Sequence, residues 1–122
     1  MPDPWVDGAG DDFCYVTTHG RVTGRPHEIE IWFAVAPDAA TLYLLSGGGD
    51  RSDWVRNLRA DPVVTVRLRD GTRPGVGRVV EPGTVEDETA RRLVFDKYQP
   101  RSGGDLSGWR AAALPVAIDL QS

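Results

Sequence analysis

The sequence predicts a single mostly β domain of the α+β class, with six strands and two short helices. Short runs of alternating apolar and polar residues recur along the chain, and glycines and prolines separate them, which is typical of strands joined by turns. No internal repeat or low-complexity tract interrupts this pattern. The chain has 122 residues, of which 40% are hydrophobic, so we expect one core and one domain over residues 1–122. Six strands can close a small barrel.

The strands follow from the period-two runs. We predict them at residues 13–18, 27–35, 41–46, 63–68, 75–81 and 114–120. The second predicted strand is the longest, and its residues divide clearly between two faces. One face carries Ile29, Ile31, Phe33 and Val35, and the other carries Glu28, Glu30 and Trp32.

Two segments carry helix signals instead. The first helix begins near Ser52 as N-cap and ends before Asp61, because a residue that precedes proline disfavours the α region. The second begins at Thr84, whose hydroxyl can cap the helix with Asp87 three residues on, and runs to Lys97 near its negative end.

On this second helix, acids and arginines stand four residues apart, which predicts a solvated ladder of ion pairs. The pairs are Asp87 with Arg91 and Glu88 with Arg92. The predicted buried stripe consists of Val85, Ala90, Leu93 and Val94. The residues that follow, 99–109, are rich in Pro, Gly and Ser, and a loop of that length indicates a lid or a disordered segment.

Charge and composition exclude several classes of function. The net charge is −4 and the pI about 5.0, so we expect no nucleic-acid partner. The single cysteine, Cys14, lies in an apolar run and is predicted to be core. Neither His19 nor His27 has a carboxylate at ligand spacing, so we predict no metal site. The sequence shows no apolar leader and no run of about 18 apolar residues, and we expect a cytoplasmic protein without a membrane segment.

The common nucleotide and hydrolase motifs are also missing. The chain has no Gly-x-Ser-x-Gly elbow, no Gly-x-Gly-x-x-Gly after a strand and no Gly-Lys-Ser/Thr phosphate loop. What remains is ligand binding by loops of another kind.

Two segments, 15–26 and 46–58, have the composition of anion-binding loops. Each runs from a strand into a stretch rich in Gly, Thr, Ser and Arg. Glycine lets a ligand approach the backbone N–H groups closely, and the arginine fork matches an oxyanion. Ser52 also begins a helix whose N-terminal amides favour an anion. Two such loops suggest one anionic ligand.

The same segments resemble the split-barrel flavin and deazaflavin oxidoreductases, the superfamily that includes pyridoxamine phosphate oxidases. The resemblance is greatest to the deazaflavin-dependent nitroreductase branch, in which a Thr-Thr-x-Gly-Arg-x-Ser/Thr-Gly-x-Pro turn precedes a strand, a serine loop and a Trp-x-x-Asn helix. The matching residues here are Thr17, Thr18, Gly20, Arg21, Thr23, Gly24, Pro26, Ser46, Trp54 and Asn57. The resemblance implies a six-stranded split β-barrel with two short flanking helices, generally a homodimer, that binds coenzyme F420, an 8-hydroxy-5-deazaflavin. Relatives in the wider superfamily bind FMN instead, which is the alternative cofactor.

These matches give a predicted set of cofactor-binding residues: Thr18, Arg21, Thr23, Arg25, Ser46, Gly47, Gly48, Arg51, Ser52, Trp54 and Asn57. We expect Arg21 and Arg25 to pair with a phosphate or an acidic tail. The serine loop would bond the ring or ribityl chain, and the Trp-x-x-Asn helix would seat it. Tyr15 and Tyr98 are candidate proton donors. Trp5 and Trp109 could each cover the groove.

The predicted function is transfer of hydride from reduced F420 to a planar, electron-poor small molecule, such as a quinone, a nitroaromatic or a conjugated enone. The alternatives are an FMN-binding reductase, a non-catalytic dimer that binds flavin or tetrapyrrole, and a structural domain with an empty groove. Glu30 stands where nitroreductase-like relatives tend to have proline. We interpret it as a solvated strand residue, unless it binds the substrate.

Overall fold

The computed structural model describes residues 3–121. Its seven strands are β1 (Cys14–His19), β2 (Pro26–Ile31), β3 (Ala34–Val35), β4 (Thr41–Ser46), β5 (Val63–Leu68), β6 (Gly71–Val79) and β7 (Leu114–Leu120). Its four α-helices are α1 (Pro4–Asp7), α2 (Asp53–Ala60), α3 (Val85–Tyr98) and α4 (Ser107–Ala112). Single 3₁₀ turns cover Gly49–Arg51 and Gln99–Arg101. No helix in this part of the chain is long and apolar enough to cross a membrane.

The strands form one antiparallel sheet in the order β2-β1-β5-β6-β7-β4-β3, curled into a half-barrel. The predicted mostly β class is therefore confirmed, with seven strands in place of six. β2 and β3 lie at the two edges of the sheet although they are neighbours in sequence. The chain therefore crosses from one edge to the other between Ile31 and Ala34, which closes the barrel.

Two hydrophobic clusters hold the sheet, one on each face. The larger fills the barrel with side chains from β1, β4, β5 and β7, and it includes Val55 and Leu58 of α2. The smaller lies between α3 and the outer face of β4 and β7, around Ala117 and Val94. β4 is buried on both faces, which explains why Leu42–Leu45 is continuously apolar in place of alternating.

The predicted single strand 27–35 is wrong at one point, because Trp32 and Phe33 separate β2 from β3. The Phe33 N–H donates to the hydroxyl of Tyr98 (2.9 Å), and the Phe33 carbonyl accepts from Nζ of Lys97 (2.9 Å). Both backbone groups are thus bound by α3 and not by a neighbouring strand. The predicted alternation of side chains between the two faces is still found at these residues. Phe33 packs in the barrel cluster, and Trp32 packs against the outer cluster.

The fifth strand begins earlier than predicted, at Gly71 and not at Gly75. Pro74 lies inside it, opposite Thr65 of β5. The Pro74 carbonyl accepts from the amide of Gln121 on the other side. Its ring nitrogen therefore points away from β5, and the missing N–H removes no bond of the β5–β6 ladder.

The two predicted helices are confirmed as α2 and α3, with Ser52 and Thr84 as N-caps. The Thr84 hydroxyl accepts from the amide of Asp87 (3.1 Å). The predicted buried position of Val85 is wrong, because its side chain is 86% exposed. Val85 is the first residue of α3, and the buried residues of this helix come from its later turns, at Ala90, Val94 and Tyr98.

The predicted ion-pair ladder on α3 is half right. Arg91 binds Asp87 (2.9 Å), but the pair is largely buried, and Nη1 of Arg91 also donates to the carbonyls of Ala111 and Ala113. Glu88 pairs with Arg110 (2.6 Å) and not with Arg92. Arg91 and Glu88 of α3 therefore bind α4 and the residue that follows it, and they do not form a solvated face.

The predicted lid or disordered loop at 99–109 is instead a 3₁₀ turn followed by α4. The side chain of Gln99 closes it locally by donating to the Gly104 carbonyl and accepting from the Leu106 amide, both at 2.8 Å. Arg101 joins it to the N-terminal segment through the Gly10 carbonyl and the Asp12 carboxylate.

Candidate functional site

The largest polar cavity lies where the turn after β1 meets α2, and we call it the arginine groove. Its volume is about 470 Å³. It is lined by Thr18, Gly20, Arg21, Val22, Thr23, His27, Glu28, Ile29, Asp53, Trp54 and Asn57. The structure thus brings together five of the predicted residues, namely Thr18, Arg21, Thr23, Trp54 and Asn57.

The turn that forms one wall of this groove is closed by its own backbone. The Gly20 amide donates to the Arg25 carbonyl and the Gly24 amide donates to the Gly20 carbonyl, both at 2.8 Å. Gly24 has φ +74°, a conformation that glycine adopts without strain. Within residues 3–121, the amides of Val22 and Thr23 donate to no protein acceptor. Two adjacent unbonded amides beside an arginine form a site suited to an anion.

Asn57 fixes this turn to α2. Its side chain is 5% exposed, and its Oδ1 accepts from the backbone N (3.2 Å) and from Nη1 (2.8 Å) of Arg21. Its Nδ2 faces the Thr18 hydroxyl at 3.5 Å. The predicted role of this amide was contact with the ligand. The geometry makes Asn57 and the buried Thr18 positioning residues for Arg21.

Arg21 and Arg25 differ in their surroundings. Nη2 of Arg21 lies 3.3 Å from the carboxylate of Asp53, so this guanidinium is already paired as well as bound by Asn57. The side chain of Arg25 is exposed and forms no hydrogen bond or ion pair with described residues. Arg25 does not line the groove, but it belongs to the same turn.

The serine loop leads directly into the N-terminus of α2. The Ser46 hydroxyl is 2.9 Å from that of Ser52 and 3.1 Å from the Gly49 carbonyl. Ser52 forms no side-chain hydrogen bond to the first turn of α2. A Cβ on Gly48 would lie 2.5 Å from the Ser52 hydroxyl, so this turn requires glycine. The predicted residues Ser46, Gly47, Gly48, Arg51 and Ser52 form this corner but do not line the arginine groove.

A second, apolar cavity opens beside this corner, and we call it the tryptophan groove. Its volume is about 540 Å³, and it is lined by Phe13, Glu30, Ile31, Trp32, Leu45, Leu106 and Trp109. Trp32 stacks on Tyr98 with ring centroids 4.3 Å apart and meets Trp109 edge to face at 5.6 Å. A Cβ on Gly47 would lie 3.5 Å from Nε1 of Trp109, so the glycine turn borders this groove.

The two grooves follow one another along β2. Residues 27–29 line the arginine groove, and residues 30–32 line the tryptophan groove. β2 is an edge strand, so the backbone groups along its outer side are not paired with another strand. The arrangement offers a polar half around Arg21 and a flat aromatic half, and the two adjoin along β2.

The tyrosines proposed as proton donors lie outside both grooves. The Tyr98 hydroxyl is buried, donates to the Asp12 carbonyl (2.7 Å) and accepts from the Phe33 amide, and burial raises its pKa to about 12. It is a structural group that holds the β2–β3 crossing. The Tyr15 hydroxyl donates to Glu30 (2.7 Å), and this bond raises its pKa above the ordinary value. Cys14 is fully buried, as predicted, and burial raises its pKa to about 12.

The structure also shows which residues sequence reasoning missed. Asp53 pairs with Arg21, and Phe13 and Leu106 line the tryptophan groove. Phe13 lies directly before β1 and is 42% exposed, and no local sequence pattern predicts that exposure. Trp109 borders the groove as predicted, whereas Trp5 packs in the barrel cluster.

The sequence matches the family model of F420H(2)-dependent quinone reductases over residues 8–120. No curated protein matches the chain.

Several solved structures share the fold. A conserved hypothetical protein, Rv2991 from Mycobacterium tuberculosis, is 21% identical with a TM-score of 0.76, and the alignment covers 100% of this chain and 82% of that one. An F420-H2 dependent reductase, FDR-A, is 20% identical with a TM-score of 0.70, covering 91% and 95%. A third structure, described as a domain-swapped dimer, is 21% identical with a TM-score of 0.70, covering 91% and 81%.

Proposed function

Because the chain belongs to the F420H2-dependent quinone reductase family, and is therefore an oxidoreductase that uses coenzyme F420, we propose how its two grooves divide the reaction. The arginine groove would hold the anionic tail of the coenzyme, and the tryptophan groove would receive a planar, electron-poor acceptor. The observation that carries this proposal is the pair of adjoining grooves along β2, one polar and built around the Arg21 turn, the other aromatic.

The residues of the arginine groove fit a phosphate or a carboxylate tail. The unbonded amides of Val22 and Thr23 can each donate to one oxygen. The guanidinium of Arg25 can donate two further hydrogen bonds to the same anion. Arg21 is held by Asn57 and Asp53, so its guanidinium is positioned before the ligand arrives. Preorganised donors lose little conformational entropy on binding, which favours affinity.

The glycine turn, which borders the tryptophan groove, would hold the deazaflavin ring. At that turn Gly47 and Gly48 let a flat ligand approach the backbone. The Ser46 hydroxyl already bonds the Ser52 hydroxyl and the Gly49 carbonyl, so it holds the turn in shape. The bound coenzyme supplies a hydride, and the chain supplies position, apolar walls and charge compensation.

The tryptophan groove suits a planar acceptor because its walls are flat and apolar. Stacking against an indole favours electron-poor rings, and the exclusion of water by Phe13, Leu45 and Leu106 strengthens each polar contact inside. Quinones, nitroaromatics and conjugated enones all have this form. Neither tyrosine hydroxyl lines the groove, so the proton that completes reduction enters from solvent through the open side.

The chain acts as a homodimer in this proposal. Both grooves lie on an edge strand with exposed residues, and a second copy would cover them. A solved structure of the same fold is described as a domain-swapped dimer, which supports this arrangement.

The test is oxidation of reduced F420 by a neutral naphthoquinone in the presence of the purified protein. The rate is measured from the increase in absorbance of the oxidised deazaflavin. We expect oxidation that depends on both protein and quinone. Reduced FMN in place of reduced F420 is the matched control, and we expect little activity with it. Absence of F420-dependent turnover with quinone, nitroaromatic and enone acceptors alike would contradict the proposed function.

A further inference from the structure

We propose that Glu30 makes the tryptophan groove selective for acceptors that carry a positive charge and unfavourable for acceptors that carry a negative one. The proposal rests on the proposed function, because it assumes that this groove receives the acceptor. It adds a substrate class, cationic aromatic acceptors, and a residue that selects it.

The first observation is that Glu30 is the one charged residue among those that line the tryptophan groove in the described part of the chain. The remaining lining residues are Phe13, Ile31, Trp32, Leu45, Leu106 and Trp109. Glu30 is exposed, so solvent screens part of its charge, but no other charged residue lines this groove to oppose it.

The second observation is that this carboxylate is not neutralised. Its hydrogen bond comes from the neutral hydroxyl of Tyr15, at 2.7 Å from Oε2. Within residues 3–121 it forms no ion pair. Arg67, whose guanidinium lies 4.1 Å from the Tyr15 ring centroid, pairs with Glu28.

The neighbouring charges do not offset it either. The cavity that adjoins the tryptophan groove at Phe13 and Trp32 carries Asp12 and Arg101. These two form a salt bridge of 2.6 Å with each other, so their combined charge is near zero. Among the residues that line these two cavities, Glu30 is therefore the charged residue without an opposite partner.

The third observation is the nature of the other walls. A cation attracted by Glu30 would lie beside the indole rings of Trp32 and Trp109, and indole is the aromatic ring that binds cations best. An anion would meet both the carboxylate and the negative ring faces. The two features thus favour the same sign of charge.

The experiment compares three naphthoquinones that share one ring system. One is uncharged, one carries a trimethylammonium group and one carries a sulfonate, each charge being placed on a short alkyl linker that insulates the quinone. The ratio of kcat/KM for the cation to that for the anion is measured with the parent protein, with Glu30→Gln and with Glu81→Gln. Glu81→Gln is the matched control, because it removes the same charge from an exposed turn outside both grooves.

We expect the ratio to fall roughly 2- to 30-fold in Glu30→Gln, because an exposed charge contact changes affinity about 1.4- to 5-fold and the ratio combines attraction of the cation with repulsion of the anion. The neutral quinone should change little in either variant, and Glu81→Gln should keep the parent ratio. Higher salt should reduce the parent ratio toward that of Glu30→Gln. An unchanged ratio in Glu30→Gln, or an equal fall in Glu81→Gln, would overturn the proposal.

A second measurement separates this proposal from the proposed function. Quenching of tryptophan fluorescence by the same three quinones reports their affinity without any turnover. If the parent fails to reduce the neutral quinone, the proposed function is contradicted. The ratio of cation to anion affinity, and its loss in Glu30→Gln, still decides whether Glu30 selects by charge.

Discussion

At the scale of single residues, the two arginines of the β1–β2 turn have different functions in the structure. Arg21 is bound to Asn57 and Asp53, whereas Arg25 is exposed and has no partner among the described residues. If the proposed anion site is right, removing Arg21 takes away a structural contact and a ligand contact together. Removing Arg25 then takes away a ligand contact alone.

We accordingly predict that Arg25→Ala raises the dissociation constant for F420 by about one to two orders of magnitude at low salt, the range for a charge-assisted bond. The melting temperature of the protein without coenzyme should stay at the parent value. Isothermal titration and thermal unfolding measure the two quantities. The loss of affinity should shrink at high ionic strength, because screening already weakens the pair in the parent.

For Arg21→Ala we expect a similar loss of affinity together with a melting temperature lower by several degrees. The substitution leaves Oδ1 of the nearly buried Asn57 with the Arg21 backbone amide as its single donor, and a lost hydrogen bond at such a site is destabilising. If both variants bind F420 as tightly as the parent at low salt, the anion site lies elsewhere, and Arg51 is the next candidate.

At the scale of elements, the position of α2 decides the shape of the arginine groove. Val55 and Leu58 seat this helix on the barrel, and Asn57 holds the turn. Opposite Leu58 lies Gly77 of β6, where a Cβ would approach Cδ1 of Leu58 to 2.3 Å. The absence of a side chain at Gly77 thus allows α2 to lie close to the sheet.

Gly77→Ala should therefore destabilise the protein by about 1–3 kcal/mol, the usual cost of overpacking a core. Because the clash pushes α2 outward, we also expect weaker F420 binding. Gly103→Ala is the control, since a Cβ there meets no heavy atom within 4 Å. Equal unfolding free energies of Gly77→Ala and Gly103→Ala, measured in urea, would show that α2 is not seated by this contact.

Lys97 of α3 gives a prediction about pH. Its Nζ donates to the Phe33 carbonyl and lies 3.5 Å from the Phe33 ring centroid, and burial lowers its pKa from 10.5 to about 8. Between these values the unfolded chain binds more protons than the folded one, so the contribution of Lys97 to stability rises with pH. Below pH 8 the folded protein must hold the charged form at a cost.

We predict that Lys97→Met raises the melting temperature at pH 7 and that this gain becomes smaller as the pH rises from about 8 to 10. The comparison uses the difference between variant and parent at each pH, because ionisation of Cys14 in the unfolded chain affects both proteins alike. A gain that is constant over this range would mean that Lys97 titrates normally.

At the scale of the whole molecule, the half-barrel leaves β2 as an open edge beside two uncovered grooves. An exposed edge strand presents unpaired backbone groups, and natural proteins usually cover such an edge. Phe13, on the rim of the tryptophan groove, is also exposed. These features together favour a second copy of the chain as the cover.

We therefore predict a homodimer mass by light scattering at micromolar concentration. The dimer should persist at moderate salt, because apolar burial is insensitive to screening. Phe13→Ser should shift the equilibrium toward monomer, with Val85→Ser, another exposed apolar residue, as the control. A monomer mass for the parent would contradict the dimer and leave both grooves open to solvent.

The sequence by itself determined the local features of this protein. β4, β5 and β7 have their predicted bounds, and Ser52 and Thr84 cap the predicted helices, because alternation and capping depend on residues a few positions apart. The two glycine-rich segments were likewise sufficient to indicate the family.

Only the tertiary structure decided which residues of these strands, helices and turns contact one another. Trp32 and Phe33 interrupt a strand because Tyr98 and Lys97, far along the chain, bind the Phe33 backbone. The side chain of Asn57 binds Arg21, which lies 36 positions earlier in the chain. Glu30 lines an aromatic groove to which α4 contributes Trp109. Such contacts join residues separated by tens of positions. Their partners depend on the closure of the barrel, and no local pattern records it.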